Sequence, residues 1–258
     1  MSKIIALFNQ SGGVSKTSLT MNLGYHLAKR KQKVLLVDMD PQASLTAFMG
    51  LEPSELQETV YESIMNGSEA PLCKNLQNMD LLPSNINLSG AELELVVADM
   101  RDSRLKEVLD PLSSHYDFIL IDCPPSLGIL SYISLVASTH VLIPIQTEYK
   151  ALKGTELLLQ TIARVRKRAN RKLLIAGVIP TLYDPRTVQA FQSLQSITTS
   201  LEKIAAIYPA VPRTVAFADA SQQHVPLATY NPKHPAVAVL DTIAQGLLAL
   251  RSTTHHAL

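Results

Sequence analysis

The 258-residue chain has two cysteines, Cys73 and Cys123, far apart and in no C-x-x-C pair. That spacing argues against a disulfide framework and against a zinc site, and a reducing compartment is expected. Its seven histidines show no H-x-x-x-H spacing; His255-His256 reads as a solvated terminus. No apolar run reaches the roughly 18 residues of a membrane span, and the last long apolar stretch, Ala236 to Leu250, carries too little charge for an interfacial membrane helix. The chain enters a strand directly after Met-Ser-Lys, so no signal peptide is expected. A formal net charge of +1 excludes a polyanion binder acting through the whole surface, so any basic contact must be local. There is no internal repeat, low-complexity tract or long polar linker.

What is present is apolar and periodic. Hydrophobic residues make up 47% and charged residues 17%, the balance of a well-buried fold rather than a disordered chain. Ile4 to Phe8 reads as a strand, and Thr17 to Arg30 as an amphipathic helix with Leu19, Leu23 and Leu27 on one face. Val34 to Val37 is a short apolar run of the kind buried on both sheet faces. Strand-helix-strand within the first forty residues is a βαβ unit. The alternation continues. Residues 43–70 are helical and loop-rich, and Asp80 to Pro83 is a short strand. Leu88 to about Ser114 is mostly helical. Strands are expected at Tyr116–Asp122, Val141–Ile145 and Leu173–Pro180, and helices at Ile129–Ala137, Leu152–Arg168, 187–204 and Ala236–Leu250. Tyr208 to Val215 is strand or loop. The pattern predicts an α/β fold in one domain over 1–258: a doubly wound, mostly parallel sheet flanked by helices. Ligands then sit at the carboxyl ends of the strands.

The chemistry concentrates at that edge. Between the first strand and the first helix lies Asn9-Gln-Ser-Gly-Gly-Val-Ser-Lys-Thr-Ser18. Strand, glycine turn, Lys-Thr and helix is the layout of a P-loop NTPase. The backbone N–H groups of Ser11, Gly12, Gly13, Val14, Ser15, Lys16, Thr17 and Ser18 can converge on phosphate oxygens at a helix N-terminus. Lys16 would reach the β- and γ-phosphates, and Thr17 would offer its hydroxyl to Mg²⁺. The G-x-x-x-x-G-K-[ST] pattern fails at both glycines, where the chain has Gln10 and Ser15. Asp122, ending the buried run from Phe118, is placed like the carboxylate that holds Mg²⁺ one strand away from a P-loop. Asp38-Met-Asp40-Pro-Gln42 ends the second strand.

With these segments the chain resembles the ParA/MinD family of deviant-Walker ATPases, the ParA branch above all. The matching pieces are Asn9-Gln10-x-Gly-Gly-Val-x-Lys-Thr17, Val34-Leu-Leu-Val-Asp-x-Asp-Pro-Gln42, Ile121-Asp-Cys-Pro-Pro-Ser126, Ile143-Pro-Ile-Gln-x-Glu-Tyr149, Thr181-x-Tyr-Asp-x-Arg186 and Val211-Pro-Arg213, in the family's order. The resemblance implies an ATPase with two ATP molecules sandwiched in a homodimer, non-specific DNA binding, and release through hydrolysis stimulated by an adaptor protein. It implies that Asp40 positions the attacking water, that Asp38 supports the Mg²⁺ region, and that Thr17, Asp40 and Asp122 form the metal set. Thr181, Asp184 and Pro212 match the surroundings of the adenine. A cytoplasmic, nucleoid-associated protein with no membrane contact follows from the same resemblance.

The family's signature lysine stands directly before the paired glycines and reaches the partner subunit's ATP. Here that position is Ser11. A cation acting in trans at the γ-phosphate can be worth on the order of 10³ to 10⁵ in rate. Lys150 and Lys153 occupy positions where the ParA pattern E-Y-x-A-L-E-G has a variable residue and an acid, so either lysine could take over the role; two solvated lysines at a helix start is the alternative. Serine at the signature position is similar to the McdA branch, which positions carboxysomes with the adaptor McdB; a plasmid or chromosome partition ATPase with a ParB-like adaptor is the other reading. A basic cluster, Arg164, Arg166, Lys167, Arg168, Arg171 and Lys172, lacks interleaved aromatics and so suits phosphate contact rather than base readout. Its cations also suit a solvated helix C-terminus. Two further classes stay open: a nucleotide-binding switch without hydrolysis, and an iron–sulfur reductase relative, which would need paired cysteines.

Overall fold

The computed structural model describes residues 2–148 and 151–250. Among the described residues, seven strands form one sheet: β1 (Lys3–Leu7), β2 (Val34–Asp38), β3 (Cys73–Leu76), β4 (Met79–Leu82), β5 (Phe118–Asp122), β6 (His140–Gln146) and β7 (Leu174–Thr181). Their spatial order is β3-β4-β2-β5-β1-β6-β7. All pairings are parallel except the edge hairpin β3–β4. The expected doubly wound sheet is therefore present, and its antiparallel edge strand is an addition.

Alternation along each strand divides the apolar residues between two cores. Ile4, Ala6, Leu35, Val37, Ile119, Ile121, Val141 and Ile143 face one side. There they meet α3 (Val60–Asn66), α4 (Leu88–Val97), α5 (Arg104–Leu112), α6 (Ile129–Ala137), α7 (Ala151–Arg168) and α8 (Val188–Leu201). Ile5, Leu7, Val34, Leu36, Leu120 and Leu142 face the other. That side is covered by α1 (Lys16–Lys29), α2 (Ser44–Phe48), α9 (Ala216–Gln222), α10 (Leu227–Tyr230) and α11 (Pro235–Leu248). Every residue of β2 and β5 is buried, which is why both read as unbroken apolar runs.

Two expected segments take a more specific form. The mostly helical stretch expected from Leu88 to about Ser114 is two helices, parted at Met100, whose φ is +54°. Leu88, Ala91 and Leu95 are buried from the first, and Leu105 and Leu109 from the second. The break is a matter of backbone: Ala98 is extended, with φ −74° and ψ 141°, and Met100 is left-handed, so the helical hydrogen-bond ladder stops between the two sets. Arg101 and Arg104 cap the break by donating to the carbonyls of Val96 and Asp99. Of the two forms expected for Tyr208 to Val215, strand or loop, the segment takes the loop. Pro209 and Pro212 lack N–H donors, so only isolated bridges, Val178–Ile207 and Tyr183–Pro212, tie the segment to the β7 edge. Pro144 sits two residues beyond the last β1–β6 pair, Leu7–Leu142, where no partner in β1 needs its missing donor.

Candidate functional site

The loop between β1 and α1 is held in shape by its own polar groups. Asn9, buried at the end of the strand, donates to the Pro144 carbonyl at 2.7 Å and accepts from the Ser11 N–H at 2.9 Å. Gly13 and Ser15 both take left-handed backbone, with φ of +72° and +71°. Alternating handedness curls successive N–H groups toward one point, the geometry of an anion nest. Gly13 adopts it freely; for Ser15 it costs about 1 kcal/mol or more. The tolerance of serine there thus has a concrete form: residue 15 is the N-cap of α1 in the left-handed region, a conformation open to any residue at a strain cost. The first turn of α1 carries no acidic residue to oppose an anion. Lys16 is buried, and its ammonium donates to the carbonyls of Asn9 and Ser11, each at 2.9 Å. Burial lowers its pKa from the ordinary lysine value, and Asp122 beside it opposes that shift.

Two carboxylates end adjacent strands in register, Asp38 on β2 opposite Asp122 on β5, with Asp122 also opposite Leu7 on β1. Both are buried, at 0% and 1% exposure. Asp38 is well satisfied: Oδ2 accepts from the Thr46 N–H at 2.9 Å and the Thr46 hydroxyl at 2.7 Å, and Oδ1 accepts from the Asp40 N–H at 3.1 Å. Burial nevertheless pushes its pKa up to about 6. Among the described residues, neither Asp122 carboxylate oxygen makes a full hydrogen bond, the Thr17 hydroxyl being its polar neighbour. Burial and the neighbouring Asp38 raise its pKa well above the usual range, with the Thr17 hydroxyl and Lys16 opposing the rise. A buried, unpaired carboxylate is costly, and here it lies beside the Lys-Thr of a phosphate nest. Such acceptors fit a hard divalent cation that keeps its waters and takes its other oxygens from phosphates. Among the described residues, no group of three or more His, Cys, Asp or Glu side chains forms a protein-only metal cage.

A cleft of about 330 Å³ opens over the loop, lined by Gly12 to Ser18 together with Asp40, Gln42, Ser44, Phe48 and Pro125. Asp40 stands at its wall, its Oδ1 accepting from the Gln42 N–H at 2.9 Å. Thr181, at the end of β7, donates to the Val14 carbonyl at 3.2 Å and so touches the nest from the other side. Asp184 is engaged by Arg186 at 2.8 Å, which lowers its pKa to about 2. Pro212 bridges to Tyr183 in the same region. Lys150 lies outside the described residues, as does the side chain of Lys153, although residue 153 belongs to α7. The neighbours on either side, Glu148 and Gly154, border a second cleft of about 220 Å³ together with Ser11. The basic cluster is elsewhere. Arg164, Arg166, Lys167, Arg168, Arg171 and Lys172 are all exposed at the far end of α7 and the turn into β7, at the opposite sheet edge from the nest.

No local motif marks Thr46 or Ser84 in the sequence, and Gln10 stands out there only as a missing glycine. Gln10 donates to the Gly154 carbonyl at 2.7 Å, and a Cβ at 154 would lie 2.9 Å from the Gln10 Nε2, so a glycine there lets α7 close on the loop. The thiol of Cys123, next to Asp122, is pushed up to about 12 by burial, and Cys73 lies on β3, separated from β5 by β4 and β2. They do not form the cysteine pair that an iron–sulfur reductase would need.

Comparison with known proteins agrees with this geometry. The AAA_31 family model, described as an AAA domain, matches residues 2–175. The chain is 39% identical to the sporulation initiation inhibitor protein Soj of Bacillus subtilis over 253 residues, covering 96% of this chain and 99% of that protein. It is 38% identical to the chromosome-partitioning ATPase Soj of Treponema pallidum, covering 96% and 98%. Among solved structures, a Mycobacterium smegmatis protein named cobyrinic acid a,c-diamide synthase, with bound ADP and magnesium, superposes with a TM-score of 0.85 at 34% identity, covering 96% of this chain and 94% of that one. Cyanothece McdA in complex with ATP superposes with a TM-score of 0.86 at 25% identity, covering 98% and 99%. With the phosphate nest, the strand-end carboxylates and these relatives in agreement, the chain belongs to the ParA/MinD family of P-loop ATPases, with ATP as its nucleotide and Mg²⁺ as its metal.

Proposed function

We propose that this ATPase is a ParA-type positioning protein working as one domain over 1–258: an ATP-dependent homodimer that holds non-specific DNA and is released when an adaptor protein stimulates hydrolysis. The observation that carries the catalytic part is the unpaired, buried Asp122 carboxylate beside Lys16 and in register with Asp38. In this reading the N–H groups of residues 11–18 and the Lys16 ammonium hold the phosphates, while Thr17 and Asp122, with Asp40 near, hold the metal. Mg²⁺, when held there, would supply charge neutralisation at the phosphoryl oxygens. Asp40 orients the attacking water, and Asp38 fixes the segment that carries it. Thr181, Asp184 and Pro212 lie toward the base. Lys150 or Lys153 supplies the trans cation that Ser11 cannot; the shared border of Ser11, Glu148 and Gly154 supports this. The exposed cluster from Arg164 to Lys172 contacts DNA phosphates in this reading, and the protein works in the cytoplasm on the nucleoid.

For the cargo, the partitioning name of a relative at 38% identity supports DNA and a ParB-like adaptor. Ser11 at the signature position favours the second reading, carboxysomes with an McdB-like adaptor. The test is phosphate release by the full chain with and without DNA, alongside DNA retention in ATP. Changing Arg166, Lys167 and Arg168 to alanine should weaken retention and shallow its salt dependence by about 0.9 in log–log slope for each phosphate no longer neutralised. Retention and slope equal to wild type would remove the DNA assignment. Fluorescent labelling of DNA and of carboxysomes in cells lacking the chain separates the two cargoes.

A further inference from the structure

Asp40 is held by more than its own strand. Its N–H donates to Asp38 Oδ1 at 3.1 Å, and its carbonyl accepts from the Ser84 hydroxyl at 3.0 Å. The Ser84 N–H donates to the Thr46 hydroxyl at 2.9 Å, and that hydroxyl donates to Asp38 Oδ2 at 2.7 Å. The bonds close a ring: Asp38, Asp40, Ser84, Thr46 and back to Asp38. It joins three separate segments, namely the end of β2, the helix α2, and the residue after Pro83 beyond β4. Asp38, Thr46 and Ser84 are each 0% exposed, so water does not compete for these bonds. The peptide of Asp40 is gripped at both its N–H and its C=O, while its side chain remains at the cleft wall.

We propose that Thr46 and Ser84 are positioning residues for hydrolysis, setting the direction of the Asp40 carboxylate without touching substrate. The proposal rests on the reading that Asp40 orients the attacking water. The Thr46 hydroxyl has a specific task, since it both donates to Asp38 and accepts from Ser84, and only a hydroxyl does both there. The phosphate nest is built from β1 and α1, outside the ring, so the phosphates keep their main donors when the ring opens. The expected signature is therefore a loss in kcat with KM preserved.

The test is steady-state hydrolysis of Mg-ATP by the full chain. Thr46→Val keeps the β-branched shape and deletes the hydroxyl; Thr46→Ser keeps the hydroxyl; Ser84→Ala opens the ring with a single-atom deletion. We expect Thr46→Val and Ser84→Ala to lower kcat roughly 10- to 100-fold, as an ångström-scale misplacement can, with KM for ATP unchanged within about 3-fold. Thr46→Ser should stay within about 3-fold of wild type in kcat. If Thr46→Val does not fold, Ser84→Ala decides alone. A folded Thr46→Val or Ser84→Ala with wild-type kcat overturns the proposal, as does a Thr46→Ser as slow as Thr46→Val or a KM that rises while kcat holds. Asp40→Asn separates the two levels. If it hydrolyses at the wild-type rate, the water-orienting reading and this proposal both fall; if it is inactive while Ser84→Ala is normal, only the positioning role falls.

Discussion

The two ends of α1 treat charge in opposite ways. At its N-terminus, Lys16 is buried against two backbone carbonyls, Asp122 is buried with neither oxygen in a full hydrogen bond among the described residues, and Asp38 has its pKa pushed up to about 6. At its C-terminus, Arg30 takes Asp241 of α11 in a bidentate pair, with Nη2 at 2.6 Å from Oδ2, and His26 joins at 3.1 Å. There the Asp241 carboxyl is held down at about 2, chiefly by the Arg30 hydrogen bonds. The first end places ions where the fold alone does not want them, and the second places them where they fasten helix to helix. Function is found where charges are buried at a cost, and structure where they are matched.

Breaking the N-terminal end has the largest consequence for activity. Lys16→Ala should lower hydrolysis by about 10² to 10³, the scale for losing one preorganised charge donor at a transferring group, as phosphate release will show. Asp122→Asn should also abolish most turnover, yet raise the melting temperature of the nucleotide-free protein at pH 8, because it removes an unpaired buried charge. A lower melting temperature would mean that the native fold satisfies Asp122.

Asp38 sharpens the same contrast through pH. The folded protein holds this proton more tightly than the unfolded chain, since its pKa rises from 3.8 to about 6. Its contribution is therefore full below pH 4 and is lost as pH rises toward about 6, a fall of roughly 2–3 kcal/mol. Calorimetry of wild type and Asp38→Asn between pH 4 and 7 should show a slope in the first that flattens in the second. Asp241 runs the other way: its contribution is present above pH 4 and is lost as pH falls toward about 2. Because its side chain is 36% exposed, solvent screening keeps this effect small. Arg30→Ala should cost about 1 kcal/mol of stability and leave hydrolysis unchanged, measured by thermal unfolding and phosphate release side by side.

Much of this is legible from residue order. The buried strands β1, β2, β5 and β6 are largely apolar runs because both sheet faces are covered; Asp38 and Asp122 stand where two of them stop, and Lys16-Thr17 opens the helix after the glycine turn. The edge strand β3 is not legible, because Lys74 and Asn75 are exposed and Asn75 has a φ of +58°, leaving no alternation to read. The break at Met100 carries neither glycine nor proline, so local propensity does not mark it. Ser84 and Thr46 are separated by 38 positions, and Gln10 and Gly154 by 144, so their contacts have no local signature.

By itself, the sequence determined the kind of site. Polarity and backbone freedom are properties of residues, so a glycine turn, a Lys-Thr pair and strand-terminal carboxylates announce phosphate chemistry wherever they fold. The tertiary structure decided the rest. Placing β5 between β2 and β1 sets Asp122 beside both Asp38 and the phosphate nest. Strand order depends on how whole faces pack, and pKa values depend on how much water that packing removes. Neither is a property of any residue taken alone.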